Sequence, residues 1–138
     1  MQSHRRAVET RRLYRFEDVF TRTLPVDVRR DRRIAELRDI AAGVWSGEGR
    51  STATCPTVTC GAGVPQNGAW FSYCEGDRIV LSRAQRTVGV LLHELTHALG
   101  HDTHGKDFVN RYVHLLCAYG GCEEGHLRLG LSLFKVNG

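Results

Sequence analysis

No apolar run in the 138 residues approaches the roughly 18 to 20 positions that a membrane span needs. The opening stretch, "MQSHRRAVETRRLYRFEDVF", also lacks the apolar centre of a signal peptide. A soluble, cytoplasmic protein with no membrane partner is therefore expected. Repeats and low-complexity tracts are missing too, which removes solenoids and disordered linkers from consideration. Methionine occurs once, at Met1, and lysine twice, at Lys106 and Lys135. Five cysteines (Cys55, Cys60, Cys74, Cys117, Cys122) make an odd set in a chain without an export signal, so mostly free thiols are expected rather than a disulfide framework.

What is present fits one domain spanning residues 1–138, since 41% hydrophobic residues suffice for one real core. The net charge of +4 lies wholly before Ser51, where twelve arginines face eight acidic residues; beyond it seven basic and seven acidic groups balance. A basic arm can hold nucleic acid, but Glu9, Glu17, Asp18, Asp27, Asp31, Glu36 and Asp39 are interleaved among the arginines. This mixture reads as a solvated helix surface, and a nucleic-acid partner is not favoured.

The pattern predicts an α+β fold. Val8, Leu13, Phe16, Val19 and Phe20 recur at helical spacing between Arg6 and Phe20, as do Ile34, Leu37, Ile40 and Ala41 before Gly43, which gives two N-terminal helices, or a helix and a shorter turn, split near Pro25. From Val44 to Ser82 short β-prone runs ("STATC", "TVTC", "AWFSYC", "RIVLS") alternate with turn residues and predict a small, mainly antiparallel sheet of about three strands, with "GAGVPQNG" as a loop or hairpin. "SRAQ" has the form of a capping box, placing a helix start at Arg83. That helix should bury Val88, Leu91, Leu92, Leu95, Ala98 and Leu99 and end at Gly100. A further helix is expected from about Lys106 to Tyr119, stopped by Gly120-Gly121. In the tail, leucines at 127, 129, 131 and 133 favour a strand, with a short helix presenting Leu127, Leu131 and Phe134 as the alternative.

Chemistry concentrates in "LLHELTHALGHDTHGKDF", residues 91 to 108. His93 and His97 stand one helical turn apart on one face, with Glu94 beside them. This is the H-E-x-x-H arrangement, in which two imidazoles hold zinc and the glutamate handles the proton of an attacking water. A catalytic zinc needs a third protein ligand, and His101, His104, Asp102, Asp107, His114 and His126 are candidates. On a continuous helix His101 would lie roughly 6 Å beyond His97 along the axis, too far for a compact site. A helix ending at Gly100 instead allows the chain to turn back and bring His104 over the ion. Cys55/Cys60 and Cys117/Cys122 share a spacing that a second zinc site could use, although structural zinc favours tighter knuckles. Tyr112, His114 and Tyr119 are the candidates for stabilising an oxyanion.

The position three residues after Gly100 is Thr103, and no later methionine exists, so the metzincin pattern is not met. "HGKDF" at 104 to 108 resembles the H-G-x-x-F segment that follows H-E-x-x-H in SprT/Spartan-like zinc metallopeptidases. The resemblance covers about residues 78 to 119. It implies a minimal zincin-like domain with an active-site helix followed by a further helix, a Zn2+ cofactor, His93, His97 and His104 as metal ligands, Glu94 as catalytic base and Phe108 as a packing residue. The short length and "FVNRYVHLL" are also similar to small metallohydrolase-like proteins of actinomycete and phage genomes. The function so implied is a zinc metallopeptidase acting on a protein or peptide substrate. The rivals are a zinc hydrolase of a non-peptide amide or ester, and a binding module whose zinc is structural.

Overall fold

A computed structural model describes residues 2–66 and 69–138. The chain begins with a long helix, α1 (Gln2–Phe20), whose Leu13, Phe16 and Phe20 enter the core at spacings of three and four; Val19, expected inward, is exposed. A single turn, α2 (Val26–Arg29), follows Pro25, and α3 (Ile34–Gly47) buries Leu37, Ala41, Val44 and Trp45. The expected split near Pro25 is present, but α3 runs on past Gly43, where a helical glycine costs only about 1 kcal/mol.

Three strands form a mixed sheet in the order β1 (Thr57–Gly61), β5 (Arg78–Ser82), β4 (Tyr73–Glu75). β5 is central, with Ile79, Val80, Leu81 and Ser82 all buried, as a strand covered on both faces requires. It pairs antiparallel with β4 but parallel with β1, so the mainly antiparallel expectation is corrected to a mixed sheet. The parallel pairing arises because an antiparallel pair, β2 (Val64–Gln66) and β3 (Ala69–Phe71), intervenes and carries the chain back. "GAGVPQNG" thus contributes to a hairpin, with Asn67 and Gly68 outside the described residues. "STATC" is not a strand. Thr52–Thr54 form a 3-10 turn in which Ser51 Oγ accepts from the Ala53 amide, the local bonding by which Ser and Thr compete with a ladder.

The helix expected from Arg83 starts later, as α4 (Val88–Ala98), with Thr87 as N-cap accepting from the Val90 amide at 3.2 Å. "SRAQ" instead makes a turn closed by the Gln85 amide on the Ser82 carbonyl. The Gln85 Oε1 collects the Ser72 amide, the Ser72 hydroxyl and the Ser82 hydroxyl, tying this loop to the β3–β4 corner. Leu91, Leu92 and Leu95 are fully buried, and the chain breaks at Gly100, whose φ of +111° suits glycine.

The next helix, α5 (Lys106–Gly120), buries Phe108, Val109, Tyr112, Leu115 and Leu116, as its spacing predicts. Gly121 ends it in the left-handed region, and the Cys122 amide reaches back to the Leu116 carbonyl. The tail is a helix, α6 (Glu124–Leu133), not the favoured strand. Leu127 and Leu131, four apart, are buried, whereas Leu129 and Leu133 are 57% and 67% exposed. A strand would have set all four leucines on one face; the helix packs two against α1 and α5 and leaves two outside. One hydrophobic cluster joins the helices to the sheet, all five cysteines are free, and among the described residues no helix is long and apolar enough to cross a membrane.

Candidate metal centre

His93 and His97 project from the middle and the end of α4, one turn apart. The break at Gly100 lets residues 101 to 105 fold back so that His104 returns over the same face. Nε2 of His104 lies 3.2 Å from Nε2 of His93 and 3.1 Å from Nε2 of His97. Phe108, at the start of α5, sets its ring 4.7 to 4.9 Å from all three imidazoles, a buried aromatic wall that fixes their planes.

The opposite ring nitrogens are all engaged. Nδ1 of His97 donates to the carbonyl of His101 at 2.6 Å. Nδ1 of His93 donates to Glu17 Oε2 at 2.6 Å, and Nδ1 of His104 pairs with the Thr10 hydroxyl at 3.0 Å. The Glu17 carboxylate and the His101 carbonyl only accept, so neutral His93 and His97 carry their proton on Nδ1. The Thr10 hydroxyl can accept the same proton from His104, the tautomer in which all three Nε2 atoms turn a bare lone pair inward. Three lone pairs so close repel one another, and a cation among them satisfies all three. Ligands about 2.0 to 2.1 Å from a tetrahedral ion stand about 3.4 Å apart, so the observed separations fit zinc closely. Among the described residues, these three side chains form the group that could hold a metal ion.

The electrostatics agree. Burial, with the neighbouring His93, pushes His97 down to about 4; burial with His93 and His97 pushes His104 down to about 3. Both are neutral at physiological pH, as metal ligands must be. For His93 burial opposes the charged form, but the Glu17 carboxylate outweighs it and holds the pKa above the ordinary value.

Glu94 is 5% exposed and makes no hydrogen bond among the described residues. Burial pushes its carboxyl up to about 7; the His93 charge opposes the rise and Glu17 adds to it. Two adjoining hollows of roughly 370 and 560 Å³ meet at His93 and Glu94, and Tyr14, Phe71 and Ser72 also line both.

The other candidates lie apart. The His101 ring stays outside the cluster while its carbonyl serves His97. Asp102 borders the larger hollow but does not join the three histidines. His126 pairs with Thr23, and His114 and Tyr119 both bind Glu48. Tyr112 is buried and donates to Glu17 at 2.9 Å.

Sequence reasoning missed the contribution of α1. Thr10, Tyr14 and Glu17, at spacings of four and three, share one helix face beside the apolar stripe and reach the histidines. Glu17, read as part of a solvated surface, has a side chain only 21% exposed and sits behind His93. The available signal was a polar row flanking Leu13 and Phe16, though the row alone names no partner.

Comparison with protein-family models, with curated proteins and with solved structures finds no match for this chain.

Proposed function

We propose that this chain is a zinc-dependent hydrolase, and specifically a metallopeptidase on a minimal zincin-like, SprT-like domain. The observation that carries the reading is the convergence of three imidazole Nε2 atoms whose Nδ1 atoms are all engaged, with the free, buried carboxylate of Glu94 next to them. Three protein ligands are the number used by catalytic zinc sites, which keep a position for water, whereas structural sites close with four.

When bound there, zinc supplies a Lewis acid that polarises a carbonyl and makes water more acidic. His93, His97 and His104 hold the ion, and Glu17 and Thr10 keep two of the rings in place. Glu94 takes a proton from the attacking water and returns it to the leaving nitrogen. Tyr14 and Phe71 flank the hollows where an extended chain would lie against the centre. An open groove of this kind suits unfolded protein or peptide.

The experiment is zinc analysis and hydrolysis of unfolded casein and small amides by the wild type and by Glu94→Gln. The expected result is a zinc-loaded variant with at least about 10² to 10⁴-fold lower activity, because glutamine keeps the shape but accepts no proton. A wild type that carries zinc but cleaves neither class, with Glu94→Gln indistinguishable from it, replaces this reading with a structural-zinc module. Cleavage of small amides alone moves it to a non-peptide hydrolase.

A further inference from the structure

We propose that Tyr14 is a further catalytic residue: its phenol donates a hydrogen bond to the oxygen of the attacked carbonyl as negative charge builds there. The proposal rests on the hydrolase reading above and names the group that reading leaves open, the partner of the oxyanion.

The ring of Tyr14 is held on several sides. It stacks on Phe71 with centroids 5.7 Å apart and planes 11° from parallel. Its edge relation to His104 spans 5.4 Å, and the His93 centroid is 6.1 Å away. The same helix is fastened to the centre one turn before Tyr14 by Thr10 and one turn after it by Glu17, through hydrogen bonds to the rings of His104 and His93. The backbone that carries Tyr14 is therefore registered against two of the three histidines.

Its polar tip is available. The hydroxyl has no hydrogen-bond partner among the described residues, and Tyr14 lines both hollows together with Glu94. The three groups suggested by sequence for this role are otherwise engaged: Tyr112 on Glu17, and His114 and Tyr119 on Glu48. Tyr14 is half-buried and lines the hollows beside the three histidines, so a hydroxyl that the described residues leave unclaimed is available to a ligand there.

The chemistry balances without proton transfer from the phenol. Water adds to the carbonyl carbon, the C=O π pair moves to oxygen, and Glu94 receives a water proton. The C–O π bond then re-forms, the C–N bond breaks, and that proton goes to the departing nitrogen. Tyr14 keeps its own proton, as a phenol does at neutral pH, and its bond is stronger to the charged oxygen than to the starting carbonyl.

The test uses the zinc-loaded protein and reads binding rather than turnover. A phosphinic peptide carries a tetrahedral anionic centre and reports on stabilisation of the attacked carbonyl. Tyr14→Phe is expected to bind it about 10 to 10³-fold more weakly while keeping its zinc content and, after cobalt substitution, the visible spectrum of the wild type. Equal affinity in the two proteins overturns the role of Tyr14 and leaves the hydrolase reading standing. A zinc-loaded wild type that does not bind the phosphinic peptide overturns both. Biosynthetic replacement of the tyrosines by 3-fluorotyrosine keeps the ring and sharpens the donor, which covers the case of a Tyr14→Phe chain that does not fold. Tighter phosphinic-peptide binding then supports the proposal, and unchanged binding overturns it.

Discussion

Glu17 Oε2 lies 2.6 Å from Nδ1 of His93, across 76 positions of sequence, and the same oxygen takes the Tyr112 hydroxyl at 2.9 Å. A carboxylate behind a histidine fixes the tautomer and raises the basicity of the nitrogen facing the ion, an effect typically worth 10 to 100-fold in metal affinity. Glu17→Ala is therefore expected to weaken zinc binding by about that factor. Glu17→Gln should weaken it less, since an amide oxygen still accepts from Nδ1 but carries no charge. Competition with a chromophoric chelator gives both numbers, and wild-type affinity in Glu17→Ala would remove α1 from the metal centre.

His104→Ala should cost far more zinc affinity than His101→Ala. The first variant removes one of three converging imidazoles. The second leaves the backbone carbonyl that accepts from His97 in place, so a change of no more than a few-fold is expected. The same chelator competition ranks them, and the reverse order would mean that the loop after Gly100 folds differently in the metal-bound protein.

The two central helices were legible because several independent signals coincide there. Apolar positions recur at helical spacing through Leu91, Leu92 and Leu95, and again through Phe108, Tyr112 and Leu116. Gly100 and Gly121 then mark backbone that only glycine adopts readily. Motifs with equal local form and different tertiary use misled. Ser82 and Gln85 satisfy a capping pattern, yet Ser82 is committed to the central strand and the Gln85 side chain to Ser72. The leucines of the tail fit both periods, and contact with α1 and α5, invisible in the local pattern, selects the helix. Thr10 and Glu17 were illegible as site residues because their meaning comes from histidines more than 75 positions away.

Gly130 shows how closely that tail helix fits. A Cβ at this position would lie 2.6 Å from three carbons of the Phe20 ring. Alanine gains about 1 kcal/mol of helix propensity over glycine, but overpacking a filled core costs typically 1 to 3 kcal/mol. Phe20 has little room to retreat, being stacked on Phe16 at 5.3 Å and tilted against His126 at 4.6 Å. The clash should win, so Gly130→Ala is expected to lower the urea midpoint with an unchanged m-value. A higher midpoint would show that α6 stands further from α1 than described.

Glu48 provides a pH-dependent tie apart from His93, His97 and His104. Its side chain, 8% exposed at the C-terminal end of α3, accepts from Arg111 at 3.2 Å, His114 at 3.0 Å and Tyr119 at 2.8 Å. Burial pushes its pKa up, but the hydrogen bonds from His114 and Tyr119 and the charges of His114 and Arg111 outweigh it, leaving the carboxyl below its ordinary 4.5. The folded chain therefore releases this proton more readily than the unfolded one. The resulting stability is fully present above the unfolded value near 4.5 and is lost as the pH falls through the lower folded value. Glu48→Gln should cost about 0.5 to 1.5 kcal/mol at neutral pH, since it weakens charge-assisted bonds from donors that are themselves partly exposed to water. The difference in unfolding free energy between wild type and variant, measured by urea titration of metal-free protein at several pH values, should narrow as the pH drops below 4.5. Taking the difference cancels the protonation of His93, which both chains share. A gap that widens on acidification would mean that burial, not the three donors, governs Glu48.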